Sequence, residues 1–326
     1  MHARVMHART PFARSLTAAL TALTALTASA ALSACGRSET ATPAPAPSGA
    51  DVAGVRVQPD QALHDALPEA IKKSGTVRVA TDVPYAPFEM FVKEGQSELT
   101  GLDYDLGQAL GAKLGVKFAF TPQKFDGIIP AIQAGKYDVA ISAITDTKER
   151  QQVVDFVDYS RSGSGLLVAD GNPARITTLD DLCGHPAGVQ AATHQADLLK
   201  AHQSRCAELG RQPIDIQTFP KDSDAQLALR AGKVVADVLT KPAAGWTAKT
   251  AENGAAFDSV EDPAAQGGYK ASFNGIAVSK KQPELTDVIH KALQQLVADG
   301  TLTKICDKYG VASIAVTEAT KNAGAQ

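Results

Sequence analysis

The chain has 326 residues, a formal net charge of −3 and only 5% aromatic residues. That balance, with no basic stripe, excludes nucleic-acid binding, which needs clustered Lys and Arg. It suits a small polar ligand better than a large apolar one. There is no P-loop, HExxH or CxxC, and His64, His185, His194, His202 and His290 are scattered without metal-site spacing, so neither cofactor nor metal is expected.

The N-terminus carries Arg4, Arg9 and Arg14, then an uncharged Ala/Leu/Thr run from residue 16 to 32, then Leu32-Ser-Ala-Cys35. The run is short for a spanning helix and ends in a small-residue box. It resembles a lipoprotein signal peptide over residues 1–34, removed to leave Cys35 as the lipid acceptor; a retained membrane anchor is the alternative. The arginines are spaced apart, so no twin-arginine signal is visible. An Ala/Thr/Pro/Ser-rich stretch follows, and residues 35–58 read as the lipidated start and a disordered tether.

Residues 76–82 then read as a strand, and 83–88 as a loop stiffened by Pro84 and Pro87. Asp82 and Tyr85 fall just past the strand end, where open α/β sheets bind ligands. A helix over 103–114 ends at Gly115. A strand (116–121), a helix (127–134) preceded by Phe125, and a strand (137–142) come next. Asp146 and Glu149 have capping-box spacing, which predicts a helix start. Helix N-termini attract anions, Thr145 adds a hydroxyl, and Arg150 adds a planar fork. The stretch reads either as a carboxylate clamp or as a capped surface helix with a solvated arginine. Tyr85 and Phe125 likewise read either as ligand-facing or as core.

The alternation continues with strands at 164–168, 187–190, 214–219, 234–240 and 274–278. Helices fall at 193–208 and 223–231, and an amphipathic helix opens at Pro283. This is an α/β pattern. In an oxidising envelope Cys183 and Cys206 form a disulfide, the alternative being two buried thiols. Cys306 shares a helical face with Leu302, Ile305 and Tyr309 and reads as core.

Four segments in one order, ThrAspValProTyrAlaProPhe (81–88), GlyLeuAspTyrAspLeu (101–106), PheAspGlyIleIlePro (125–130) and AlaIleThrAspThrLysGluArg (143–150), resemble the bacterial extracellular solute-binding proteins, family 3, the polar amino-acid receptors of ABC importers. The resemblance runs from about residue 75 to 310. It implies a periplasmic-binding-protein-like, type II fold: two α/β lobes joined by two crossover strands, with the ligand in the cleft. It places lobe 1 at 59–165 and 274–316 and lobe 2 at 166–273, leaving 317–326 as a disordered tail. It implies that Arg150 and Thr145 bind the ligand's α-carboxylate with backbone help at Ala143, and that Thr193 adds a hydroxyl from the second lobe. Tyr85 and Phe125 would sandwich the ligand's side chain, and Asp82 would reach its distal polar group. Thr193 also reads as a helix N-cap.

One position departs from the family pattern. Aligned on Pro242, Thr240 stands where the family carries an acid for the α-ammonium, Lys241 follows it, and Asp237 is displaced by three. Either Asp237 substitutes, or the ligand lacks an ordinary α-ammonium, in which case Thr240 and Lys241 are adequate. The leading expectation is a monomeric, lipid-anchored receptor, not an enzyme, that passes an amino acid or related carboxylate to an ABC transporter permease. An enzyme resembling the periplasmic cyclohexadienyl dehydratases and a ligand sensor for a membrane partner are the alternatives.

Overall fold

The structure is a computed structural model and describes residues 49–93 and 95–325. The expected signal peptide and Cys35 lie outside the described residues. Among those residues no helix is long and apolar enough to cross a membrane.

The strand Thr76–Thr81 alternates toward a core through Val77 and Val79, both fully buried. It pairs in parallel with Lys117–Pro122 on one side and Val139–Ala140 on the other. The helix Leu102–Leu114 covers this sheet with Leu102, Leu106, Leu110 and Leu114, an i,i+4 stripe. It begins at Gly101, where a Cβ would lie 2.3 Å from the Phe88 carbonyl oxygen, so no larger residue fits. It ends at Gly115 in the left-handed conformation.

A second parallel group is formed by Asp215–Phe219, Pro186–Gln190 and Ala236–Thr240. Two long strands connect the groups. Val154–Ala169 pairs antiparallel with Tyr269–Ser279 along its first part and with Ala236–Thr240 along its last part. The chain therefore crosses twice between two α/β lobes within one ten-stranded sheet, the type II arrangement expected. The expected lobe limits, 165/166 and 273/274, both fall inside these crossing strands. Each lobe has its own apolar clusters, one built around the Leu102–Leu114 helix and another around Leu166, Leu182, Leu199 and Val238. Cys183 and Cys206 are disulfide-bonded, with Cα atoms 5.4 Å apart, and Cys306 is a buried free thiol.

Three expectations are corrected. No helix begins at Asp146. Its backbone N–H donates to Phe273 O at 2.8 Å, its buried side chain accepts from Gln151 and Gly324, and only a short 3-10 turn, Arg150–Gln152, follows. Tertiary partners took the cap. The expected tether ends early, because Ala50–Val52 and Val55–Val57 form a hairpin that buries Val52 and Val57 in the first lobe. The expected disordered tail instead contains the strand Ala315–Lys321, paired on Val154–Ala169. Its Ala319 is held from both sides: N–H to Gln294 Oε1 at 2.9 Å and carbonyl to His290 Nε2 at 3.0 Å. The residues that receive this segment are far away in sequence, so composition could not reveal them. The helices Gln61–Asp65, Glu69–Ser74 and Lys241–Thr250 were not anticipated.

Candidate functional site

A cavity of about 400 Å³, counting space open to solvent, lies between the lobes. Seven of the eight expected site residues line it: Asp82, Tyr85, Phe125, Ala143, Thr145, Thr193 and Thr240. The first lobe supplies its side from strand ends. Ser142 Oγ accepts from Asp82 N at 2.8 Å and donates to Glu89 Oε1 at 2.7 Å, which locks both acids. Beneath them Asp103 accepts from Ala143 N and from the Tyr159 hydroxyl, each at 2.7 Å. Ala143 has φ +44°, a left-handed conformation that costs an alanine roughly 1 kcal/mol and that the Asp103 bond holds in place. Burial pushes Asp103 up to about 6 and Glu89 well above the ordinary carboxylate range, the two acids lying close enough to repel.

Arg150 does not line the cavity. Its guanidinium donates to Thr145 O in the first lobe and to Ala192 O in the second, each at 2.8 Å, and lies 5.6 Å from the centre of the Phe125 ring. The fork is thus at the wall of the cleft, held by two carbonyls.

The second lobe closes the far side. Gln190, the last residue of its strand, donates to Asp82 Oδ2 at 2.6 Å. Thr193 caps the helix His194–Glu208, accepting from Ala196 N at 3.2 Å and donating to Gln190 O at 2.7 Å. Ala196 N is taken by Thr193, but the two N–H groups ahead of it, those of His194 and Gln195, have no helical carbonyl behind them, a start that suits an anion, and both residues line the cavity there. Burial, reinforced by Arg150, lowers the His194 pKa, so the imidazole is neutral at pH 7. Tyr85 spans the cleft: its hydroxyl donates to Thr240 Oγ1 at 3.0 Å and accepts from Thr240 N at 2.9 Å.

The displaced acid is placed by the fold. Asp237 lies on the strand Ala236–Thr240, fully buried and off the cavity lining, with neither oxygen hydrogen-bonded among the described residues. Lys241 turns away and pairs with Glu261 at 2.8 Å. The acid that reaches the lining from this lobe is Asp222, at the start of the helix Asp222–Arg230. Sequence reasoning missed it, along with Glu89, Ser142, Gln190, His194 and Gln195. Their available signal was position alone: Ser142 and Gln190 stand at strand ends and Asp222, His194 and Gln195 open helices, while Glu89 sits in the loop before Met90–Phe91. Cys183, His202 and Cys206 gather within 4.8 Å, but the disulfide leaves no thiolate to hold a metal.

Two lobes, two crossing strands and a polar cleft at strand and helix ends define a hinged binding protein of the type II periplasmic class. The chain belongs to the bacterial extracellular solute-binding proteins, family 3, whose model matches residues 77–312. It is 33% identical over 252 residues to the lysine/arginine/ornithine-binding periplasmic protein of Escherichia coli K12, covering 76% of this chain and 89% of that one. The amino acid ABC transporter substrate-binding protein AbpA of Streptococcus pneumoniae, solved bound to L-arginine, aligns with a TM-score of 0.65 at 27% identity, over 76% of this chain and 100% of that one. The ancestral amino acid-binding protein AncCDT-1, described as a precursor of cyclohexadienyl dehydratase, aligns with a TM-score of 0.61 at 34% identity, over 74% and 98%.

Proposed function

We propose that this chain is a monomeric extracytoplasmic receptor, lipid-anchored through Cys35, that captures an α-amino acid between its lobes and delivers it to an ABC importer. The observation that carries the reading is the position of Arg150. Its fork joins Thr145 O to Ala192 O across the cleft, beside the open N-terminus of the helix His194–Glu208. A ligand carboxylate is a stronger acceptor than a carbonyl. It replaces the Ala192 contact, takes the helix N–H groups as well, and ties the two lobes through itself. Such a ligand stabilises the closed form by its differential contacts, which is what a hinged receptor requires. Phe125 and Tyr85 flank the ligand's side chain. The names of the relatives support an amino acid as the ligand.

A thermal-shift and calorimetric panel of the L-amino acids tests this. At 100 times its dissociation constant a true ligand adds about 2.7 kcal/mol of stability. If none of the panel binds, the amino-acid reading fails. Steady turnover of prephenate would instead establish the dehydratase-like activity, the reading that the buried acids around the cleft would serve.

A further inference from the structure

The cavity lining holds three carboxylates, Asp82, Glu89 and Asp222, and neither Lys nor Arg. All three are buried, at 7%, 2% and 4% exposure. Gln226, one helical turn on, donates to Asp222 Oδ2 at 2.7 Å. Glu89 Oε2 and both oxygens of the fully buried Asp237 have no hydrogen-bond partner among the described residues. A buried carboxylate left unpartnered is costly unless it is neutralised. The fold answers with protons: burial, then the neighbouring charge of Asp82, raises Asp222 to about 7, and burial with Asp222 beside it raises Asp237 well above the ordinary range. Tyr85 lines the cavity with Asp222 and bonds Thr240 on the strand that carries Asp237, so the hydroxyl and Asp222 share one end of the cleft with Asp237 behind the lining. The acids that act on Arg150 are different ones, Asp197, Glu149 and Asp146. The site therefore differs end to end, with hydrogen-bond donors for a ligand carboxylate by Arg150 and acids with no cation in the lining by Tyr85. Lys221 is near the acidic end, where its Nζ donates to Val83 O at 3.2 Å, outside the lining.

An amino acid with a neutral side chain brings one positive charge, its α-ammonium. Three lining carboxylates with a fourth behind them exceed what one ammonium can satisfy. We propose that Asp222, backed by Asp237 and closed against Asp82, forms a cation subsite, and that the ligand is an α-amino acid whose side chain carries a guanidinium or ammonium group. This rests on the amino-acid reading above. The ligand's second charge replaces the proton that Asp222 otherwise holds, while Tyr85 and Phe125 offer ring faces to the same cation.

The test is calorimetry with L-arginine, L-lysine, L-ornithine, L-glutamine and L-glutamate on the wild type, Asp222→Asn and Asp237→Asn. The wild type should prefer at least one of the cationic three over glutamine by about 100-fold. Asp222→Asn should weaken that ligand about 10- to 100-fold, the range of a charge-assisted hydrogen bond, and change glutamine by less than about 3-fold. In the unaltered protein, titrations at pH 6.5 in buffers of different ionisation heat should show proton release on binding the cationic ligand, a readout that does not need the variants to fold. Preference for glutamine or glutamate, an unchanged ratio in a folded Asp222→Asn protein, or no proton release overturns this subsite while leaving the amino-acid reading intact. Binding of no amino acid overturns both.

Discussion

Asp146 and Asp158 lie side by side, both fully buried, and each accepts a backbone N–H from the C-terminal segment: Gly324 N to Asp146 Oδ2 at 2.7 Å and Ala323 N to Asp158 Oδ2 at 3.1 Å. Thr320 Oγ1 adds a third bond to Asp158 Oδ2 at 2.9 Å. Asp146 adjoins the cleft residue Thr145, and Asp158 lies on a crossing strand. The chain end is thereby fastened to the connection between the lobes.

The pair has a consequence for stability. Burial, then the charge of Asp146, raises Asp158 from 3.8 to about 7. A carboxyl raised in the fold stabilises it while protonated. That contribution is fully present below about 3.8 and is lost as pH rises through about 7. In Asp158→Asn the amide oxygen keeps the Thr320 and Ala323 bonds and the amide N–H faces Asp146. Melting at pH 8 should rise by about 2–6 °C, and the difference should shrink steadily as pH falls toward about 4. A lower melting temperature for Asp158→Asn at pH 8 would refute the account of a raised Asp158 carboxyl.

Arg150→Ala removes the fork that joins Thr145 O and Ala192 O. An unpaired ligand carboxylate in a closed cleft typically costs 2–5 kcal/mol, so the dissociation constant should rise by at least about 30-fold. The lobes keep their separate cores, and the circular dichroism spectrum should be unchanged. Affinity equal to wild type in a folded protein would remove Arg150 from the carboxylate site.

Tyr85→Phe deletes the hydroxyl that bonds Thr240 twice across the cleft. These bonds form between lobes, so their loss bears on closure more than on either core. Ligand affinity should fall about 3- to 10-fold, as for one net neutral hydrogen bond. Scattering from the liganded variant should show a larger open fraction. An unchanged affinity would mean that the contact does not contribute to closure.

The disulfide closes a loop of 23 residues. In the chain-entropy account, replacing Cys183 and Cys206 together by Ala should lower unfolding free energy by about 3 kcal/mol, read by denaturant titration. Peptide mapping of exported protein without reductant should yield one cross-linked peptide and an acylated Cys35 at the mature N-terminus. Free thiols at both positions would contradict the pairing.

Most of the framework was legible before any coordinates. The strand Thr76–Thr81 and the helices Leu102–Leu114 and Pro283–Ala298 follow from apolar periodicity and from Gly115 and Pro283 as end signals. Motif order along residues 81–150 located five residues of one cavity, because strand ends and helix starts in an α/β sheet converge on one edge. What misled was local: Asp146 and Glu149 have capping spacing, but Asp146 is used by Phe273, Gln151 and Gly324 instead.

The sequence by itself determined the alternation of elements, since periodicity and turn chemistry act over a few residues, and the family resemblance of its motifs implied the lobe-1 face of the cleft. Only the tertiary structure decided which acid of the second lobe reaches the cavity lining. Asp222 is 18 residues upstream of Thr240 on another element and carries no local mark of burial. It also decided that Ala315–Lys321 forms a strand, because its partners, Val157, Asp158 and Ser160, lie on a crossing strand far away in sequence. Charge compensation in a buried site is a sum over neighbours in space, and that sum exists only once the chain is folded.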